Sequence, residues 1–96
     1  MHAVVRSYSG KGSKELTGLL EKNKAEIDKL IRAIKGFVSY SLVRTQDGAF
    51  SVSVFQDKAG ADESVRVARE WISKNASGAG APAPTVSEGT VILHLK

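Results

Sequence analysis

Residues 37–56 read FVSYSLVR, TQDG and AFSVSVFQ, two alternating runs on either side of a turn. A period of two predicts a β-strand in each run, and Asp47-Gly48 favours the tight turn of a hairpin. Large side chains lie opposite small ones on both faces of this hairpin. One face carries Phe37, Ser39, Ser41, Val43, Phe50, Val52 and Val54, and the other carries Val38, Tyr40, Leu42, Arg44, Ser51, Ser53 and Phe55.

Neither face of the predicted hairpin is polar. A sheet that helices cover on one side usually keeps its other side polar, because that side contacts water. We therefore expect helices on one face and a second copy of the chain on the other. The size is consistent with this expectation, since a chain of 96 residues buries only about 60–65% of its unfolded surface by folding alone.

Two amphipathic segments flank the hairpin and predict helices. Residues 13–34 predict one long helix that Ser13 caps and that ends at Lys35-Gly36. Asp57 precedes a second predicted helix, from about Ala59 to Asn75. The inner stripe of this second helix consists of Ala61, Val65, Ala68, Trp71 and Ile72.

Strands are also predicted near both ends of the chain, from His2 to Tyr8 and from about Val86 to Leu95. Residues 76–85, rich in Gly, Ala and Pro, predict a mobile connector in which Pro82 and Pro84 stop the helix. The order β-α-β-β-α-β predicts one α+β domain over residues 1–96. Its fold would be ferredoxin-like, with a four-stranded antiparallel sheet.

The charge pattern argues against a nucleic-acid interface. The net charge is +4, but opposite charges alternate at helical spacing. Three pairs are spaced for i,i+4 contacts on solvated helix faces: Asp28–Arg32, Asp62–Arg66 and Glu70–Lys74. With no cysteine and two distant histidines, we expect no disulfide, no metal site and no cofactor. No apolar run is long enough to span a bilayer and no signal-peptide core is present, so we expect a cytoplasmic protein without membrane contact.

Two stretches resemble the antibiotic biosynthesis monooxygenase-like proteins. Residues 35–44, KGFVSYSLVR, are similar to the Pro-Gly-Phe-x-x-Tyr-x-Leu entry to the second strand of that family. Residues 54–57, VFQD, followed by an acidic, alanine-containing helix that ends near Trp71, resemble the next segment. Lys35 stands where the family has proline, and Gln56 replaces the usual tryptophan at the end of the third strand.

The resemblance implies a dimeric α/β barrel, in which two sheets pack face to face and each sheet carries its helices outside. It also implies a pocket between each sheet and its own helices. The family includes cofactor-free oxygenases of aromatic substrates and haem-degrading enzymes. The haem-degrading branch uses an Asn on the first strand, a Trp and a helical His. Trp71 matches the Trp, but Arg6 and Ser7 occupy the first strand and neither histidine lies on a predicted helix, so we do not expect haem degradation.

Six residues are candidates to line the pocket: Trp71, Tyr40, Asn23, Arg6, His94 and Tyr8. Trp71 and the two tyrosines would stack on a flat ligand and donate hydrogen bonds, or alternatively serve as core or interface anchors. Asn23 falls on the apolar stripe of the first helix and would orient a ligand carbonyl. The alternative for Asn23 is an amide at the wet edge of the stripe, or one satisfied in the core.

Arg6 and His94 fall on the first and last predicted strands, which are neighbours in a ferredoxin-like sheet. Arg6 would hold a carboxylate or an enolate, and His94 would act as a base near neutral pH. Alternatively, both are polar groups at an edge or interface, paired with Glu88. The loop Gly10-Lys11-Gly12-Ser13 lacks the residue order of a P-loop, and we expect a tight turn and a helix cap there.

Three function classes remain open. The first is a homodimer that binds a small apolar or aromatic molecule and acts as a cofactor-independent monooxygenase-like enzyme. The second is a non-catalytic ligand-binding or interaction module built on the same dimer. The third is RNA binding, because residues 35–38, KGFV, are similar to an aromatic RNA-binding signature. That signature belongs on a third strand, whereas KGFV opens the second, so the third class is the weakest.

Overall fold

A computed structural model describes residues 1–76, 78, 80 and 83–95 of the chain. The strands form one antiparallel sheet in the order β2-β3-β1-β4. The predicted ferredoxin-like α+β fold is confirmed. Pro82, predicted to stop the second helix, lies outside the described residues. The elements are β1 (His2–Tyr8), α1 (Ser13–Lys22), α2 (Lys24–Arg32), β2 (Phe37–Arg44), β3 (Ala49–Phe55), α3 (Lys58–Asn75) and β4 (Thr85–Thr90).

The strand register divides the sheet into two faces. The helix-covered face contains a row of cross-strand neighbours, Val86, Arg6, Ser51 and Leu42, that crosses β4, β1, β3 and β2. The open face is the opposite one, and none of its residues carries a charge. It consists of Ala3, Val5, Ser7, Ser39, Ser41, Val43, Phe50, Val52, Val54, Thr85, Ser87 and Gly89.

Two apolar clusters hold the helices on the sheet. In the first, Val4 and Phe55 pack against Ile31, Ile34 and Ala61. In the second, the end of β1 packs against α1 and α3 through Tyr8, Leu16, Leu20, Trp71 and Ala76. Burial of such side chains is the main force that stabilises the fold, and the space between the two clusters is where the cleft described below lies.

A β-bulge at the start of β2 corrects the predicted hairpin faces. Phe37 pairs with Phe55 but Ser39 pairs with Val54, so Val38 is an extra residue on β2. The bulge shifts the alternation by one position. Phe37 therefore lies on the helix-covered face, with its ring edge-on to that of Phe55 at 6.1 Å between centroids, and not on the face of Val43 as predicted.

The predicted long first helix is wrong, because it breaks into α1 and α2 at Asn23. Asn23 leaves helical geometry, with φ −108° and ψ 23°. Its side-chain amide donates to the Leu19 carbonyl at 2.8 Å, and its own carbonyl accepts from the Glu26 and Ile27 amides at 3.1 Å. Asparagine competes with the helical backbone for hydrogen bonds, which explains a break that helical spacing alone does not reveal.

The hairpin is confirmed, but its turn differs from the prediction. A type I′ turn requires positive φ at both central residues, and neither Asp47 nor Gly48 has it. Gly48 is needed for another reason. A Cβ on Gly48 would collide with the carbonyl oxygen of Tyr8 and would lie 2.9 Å from the Ser13 Cβ. The turn is thus pressed against the end of β1 and the start of α1.

The helix ends partly match the predictions. Asp57 caps α3, accepting from the Gly60 amide at 3.0 Å. The prediction that Ser13 caps the first helix is wrong, because Gly12, with φ 85°, is the capping residue and no side chain caps α1. Gly36 has the predicted positive φ, 87°. Among the described residues, no helix is both long and apolar enough to cross a membrane.

The ion pairs on the helix surfaces have partly different partners from those predicted. The Asp28–Arg32 pair is confirmed at 2.6 Å. Asp62, however, binds Lys58, and Arg66 binds Glu63 and Glu70. All of these side chains are exposed, so their pairs add little to stability.

Candidate functional site

A cleft lies between the helix-covered face and the helices, and it contains two adjoining pockets that share lining residues. The smaller pocket is called the inner compartment and the larger one the outer compartment. The inner compartment has a volume of about 30 Å³, which is room for little more than one or two water molecules. The outer compartment has a volume of about 370 Å³, within the range of small-molecule sites. Both compartments are lined by Arg6, Tyr8, Ala68 and Ile72.

Two small residues in the centre of β3 lie under the helices, and one of them, Ser51, lines the inner compartment. Ser51 and Ser53 are 1% and 0% exposed and face the helices. Large residues normally fill such positions in a small core. Here the neighbouring strands place Arg6 beside Ser51 and Tyr40 beside Ser53. The small serine side chains leave room for these two large polar side chains under the helices.

Arg6 is a buried cation without a counterion. Arg6 is 3% exposed. Its Nη1 donates to the Ser64 carbonyl at 3.4 Å, which is long for a hydrogen bond. Its Nε has no hydrogen-bond partner. Within the described part of the chain, no carboxylate forms an ion pair with Arg6. An uncompensated buried charge costs several kcal/mol in folding free energy, so Arg6 is the strongest candidate for a functional residue.

Tyr40 does not neutralise this cation. Burial raises the pKa of its phenol above the ordinary value, and the nearby Arg6 charge only partly opposes the rise in pKa. The phenol therefore stays protonated at neutral pH and acts as a hydrogen-bond donor. Tyr8, which is 5% exposed, contributes a second phenol to the wall of both compartments.

Two further polar groups of the inner compartment lack partners. Trp71 lines the compartment and its buried Nε1 makes no hydrogen bond. The buried Oγ of Ser51 lies near the Tyr40 hydroxyl, but it makes no hydrogen bond with ordinary distances and angles. Buried polar groups in proteins are normally hydrogen-bonded. Ser13 and Ser53 also have buried hydroxyls without partners, but these two residues line neither compartment. The three unpartnered atoms at the inner compartment, on Arg6, Ser51 and Trp71, indicate a site that a ligand with acceptor atoms would complete.

The structure brings four of the six sequence-predicted residues together. Trp71, Tyr40, Arg6 and Tyr8 all line the inner compartment. Asn23 lies at the junction of α1 and α2, where its amide is bonded to the Leu19 carbonyl, and it does not line either compartment. Sequence reasoning missed Ser51 as a wall residue, although the serines that alternate within an apolar strand were a visible signal.

His94 is not on the last strand, which corrects the predicted range of Val86 to Leu95. β4 ends at Thr90, which pairs with His2 at the start of β1. Only the Val91 amide continues the ladder, donating to the Met1 carbonyl at 2.9 Å. The strand ends there because β1 offers no further partner.

The neighbours of Arg6 and Glu88 also differ from the predicted arrangement. Arg6 faces Val86 across the β1–β4 pair. Glu88 accepts from His2 at 3.0 Å and lies 3.4 Å from Lys58, so its partner is neither Arg6 nor His94. Nowhere in the described ranges do three or more His, Asp or Glu side chains cluster as metal ligands would.

No protein-family model and no curated protein matches the chain. Solved structures do. A protein of unknown function from Nitrosomonas europaea is 18% identical, with a TM-score of 0.68 over 99% of this chain and 91% of that one. SnoaB, a cofactor-independent oxygenase from Streptomyces nogalater, is 16% identical, with a TM-score of 0.66 over 98% and 95%. The chain shares their fold.

A third similar structure is that of a protein described as a dimer. A dimeric ferredoxin-like protein from an uncultured marine organism is 10% identical, with a TM-score of 0.66 over 99% of this chain and 95% of that one. At such identities the likeness concerns the fold. At that level, the ferredoxin-like fold expected from the sequence is confirmed.

Proposed function

We propose that the chain binds a small apolar or aromatic molecule in the cleft and oxidises it as a cofactor-independent monooxygenase-like enzyme. The observation that carries the proposal is the buried, unpaired Arg6 among aromatic side chains in a cleft of ligand size. The fold shared with SnoaB, a cofactor-independent oxygenase, supports it. Trp71 would pack against the ligand, and Tyr40 and Tyr8 would donate hydrogen bonds.

In such a reaction the substrate itself supplies the electrons. An electron-rich anion attacks O₂ directly, one oxygen atom enters the substrate as a carbonyl, and the other leaves as water. For a ring CH₂ group the balance is R₂CH₂ + O₂ → R₂CO + H₂O, so no separate reductant is required. The protein would contribute orientation and a local cation, Arg6, that stabilises the substrate anion.

We propose further that the open face forms a homodimer interface. A sheet face without any charged residue would be unusual if it stayed in water. Just beyond β4, three large apolar side chains also extend into solvent, with Ile92, Leu93 and Leu95 exposed by 97%, 73% and 82%. The dimeric ferredoxin-like neighbour supports a second copy as the partner that covers these surfaces.

One observation favours a non-catalytic binding module as the second candidate. Among the described residues that line the two compartments, there is no His, Asp or Glu. A general base would have to lie within hydrogen-bond reach of the proton that it removes, and the two tyrosines are poor bases when protonated. A substrate that does not ionise readily would therefore be bound but not oxidised.

Oxygen consumption separates the two candidates. The protein is incubated with 1,8-dihydroxyanthrone, which forms an anion readily, and O₂ uptake and product are followed together. Catalysis predicts one O₂ per product and a rate at least tenfold lower in Ala68→Leu, which narrows both compartments. Ala25→Leu, the same change at an exposed position of α2, is the control. Binding without uptake would favour the second candidate, and neither binding nor uptake would contradict both.

A further inference from the structure

We infer that the ligand binds as an organic monoanion, with its charged oxygen beside Arg6 in the inner compartment and its apolar body in the outer one. The charged oxygen belongs to a carboxylate or a phenolate, which share the chemistry of a planar anion with hydrogen-bond acceptors. This inference rests on the proposed function, because it names the class of molecule that the same cleft takes.

The charge of the cleft is the first argument. Of the described residues that line the compartments, only Arg6 and Arg69 are charged, and both are cations. Arg69 is exposed at the outer compartment, where water screens its charge. Arg6 is buried and retains an unbonded Nε. A buried guanidinium binds carboxylate and similar planar anions through charge-assisted hydrogen bonds.

The unpaired donors give the second argument. Besides Arg6 Nε, the buried Nε1 of Trp71 and the Oγ of Ser51 have no partner. Nε1 of tryptophan is a donor only, so it requires an acceptor. The Tyr40 hydroxyl, which lies close to Ser51 and Arg6, keeps its proton at neutral pH because burial raises the pKa of the phenol. An anionic oxygen, which accepts several hydrogen bonds and donates none, complements this set better than a neutral amide or hydroxyl group does.

The two volumes give the orientation of the ligand. The inner compartment, at about 30 Å³, admits a group of one or two heavy atoms but not an aromatic ring. The outer compartment, at about 370 Å³, accommodates a ring system. Since Arg6 and Tyr8 line both, a ligand whose ring lies in the outer compartment places its charged oxygen beside Arg6 in the inner one. The body of the ligand then lies beside α3, Pro84 and Val86, which line the outer compartment.

A matched pair of probes tests the charge. 2-Naphthoate and 2-naphthamide have the same ring and nearly the same shape, but only the first is an anion. Binding to the full chain is measured by titration calorimetry. We expect naphthoate to bind at least tenfold more tightly than naphthamide. In Arg6→Met this preference disappears, and in Arg6→Lys part of it remains. In the control Lys74→Met, which removes a positive charge from an exposed position of α3 outside both compartments, the preference is unchanged.

A second arm distinguishes the two kinds of anion. 2-Naphthol changes its absorption spectrum when it ionises, so the spectrum reports its state while bound. A site that also takes phenolates lowers the pKa of bound naphthol by at least one unit relative to naphthol in water, and Arg6→Met removes this shift. A bound naphthol with an unshifted pKa, together with preferential naphthoate binding, restricts the inference to carboxylates.

Thermal stability shows whether Arg6 has only a structural role. Because Arg6 is buried without a counterion, we expect Arg6→Met to fold with an unchanged or higher Tm while anion binding is lost. A Tm lower by more than about 5 °C together with an intact naphthoate preference would overturn the inference. Equal binding of naphthoate and naphthamide would also overturn the inference, although the proposed small-molecule site would still stand. Binding of neither probe would contradict the proposed function itself.

Discussion

The two faces of the sheet reverse the usual distribution of charge. The helix-covered face, shielded from water, holds the cation Arg6. The open face, which no helix covers, carries no charged residue, and its central positions are Val5, Val52 and Phe50. In an ordinary two-layer domain the polar groups would lie on the open side. Here each face departs from that rule, and in opposite directions.

The difference indicates that neither face is complete in the isolated chain. An uncharged face is stable once a second apolar surface covers it, whereas a buried cation is stable once an anion reaches it. In the proposals above, a second copy of the chain meets the first requirement and a ligand in the cleft meets the second. On these proposals the open face and the helix-covered face serve different partners although they share every strand.

The largest effect is expected from a charge placed on the open face. Val52 lies at the centre of the open face, and in a dimer the carboxylate of Val52→Asp would be buried without a counterion. We expect a loss of roughly 4 kcal/mol of association free energy, a factor of about a thousand in the dimer Kd. Sedimentation velocity at micromolar concentration measures the change, and circular dichroism checks that the monomer stays folded.

The control for this change is Ala25→Asp, which adds the same charge to the exposed surface of α2. It should leave the sedimentation coefficient unaltered. If Val52→Asp sediments like the unmodified protein, the open face is not the dimer interface, and its lack of charge needs another explanation.

A smaller effect is expected where the hairpin turn supports the helix-covered face. Gly48→Ala would drive a methyl group into the Tyr8 carbonyl and towards Ser13. We expect it to destabilise the fold by about 1–3 kcal/mol, as overpacking does, and to weaken ligand binding because Tyr8 lines both compartments. Chemical denaturation measures the stability, and calorimetry measures the binding.

Gly18→Ala is the matched control for Gly48→Ala. Gly18 lies within α1, and a Cβ there would meet no atom within 4 Å. The substitution should stabilise the protein by about 0.5–1 kcal/mol, because alanine favours the helix. Equal effects of the two substitutions would show that the turn does not press on β1.

The smallest effect is a pH dependence confined to the helix-covered face. Burial raises the pKa of Tyr40 above its ordinary value of 10.0. The folded protein therefore keeps the phenol proton where the unfolded chain loses it, so stability is full below pH 10 and falls as the pH rises beyond it. Tyr40→Phe should show a shallower alkaline decline in Tm between pH 9 and 11. An identical decline in both proteins would contradict a raised pKa of the Tyr40 phenol.

Much of the fold and part of the site followed from the sequence. Alternation placed Arg6, Tyr8 and Tyr40 on strands, and helical spacing placed Trp71 on the inner stripe of α3. These patterns report which face a residue occupies, and they succeeded wherever the element was regular. They could not show that Arg6 lacks a counterion, since that depends on residues distant in the sequence.

The errors have physical causes that periodicity does not contain. Phe37 changed faces because of a bulge, and Asn23 ended a helix through its own side-chain hydrogen bond. His94 was placed on a strand because the apolar residues continue past Thr90. The pairing stops there because β1 has no residue left to offer. The bulge and the end of β4 depend on the partner strand, whereas the break at Asn23 depends on a local hydrogen bond to Leu19.

A crystal structure of the protein grown with 2-naphthoate tests both faces at once. We expect the carboxylate within hydrogen-bond distance of Arg6 Nε, the naphthalene ring along α3, and a second copy of the chain packed on the open face about a two-fold axis. A carboxylate bound at Arg69 or outside the cleft, with the open face in solvent, would contradict the division of roles between the two faces.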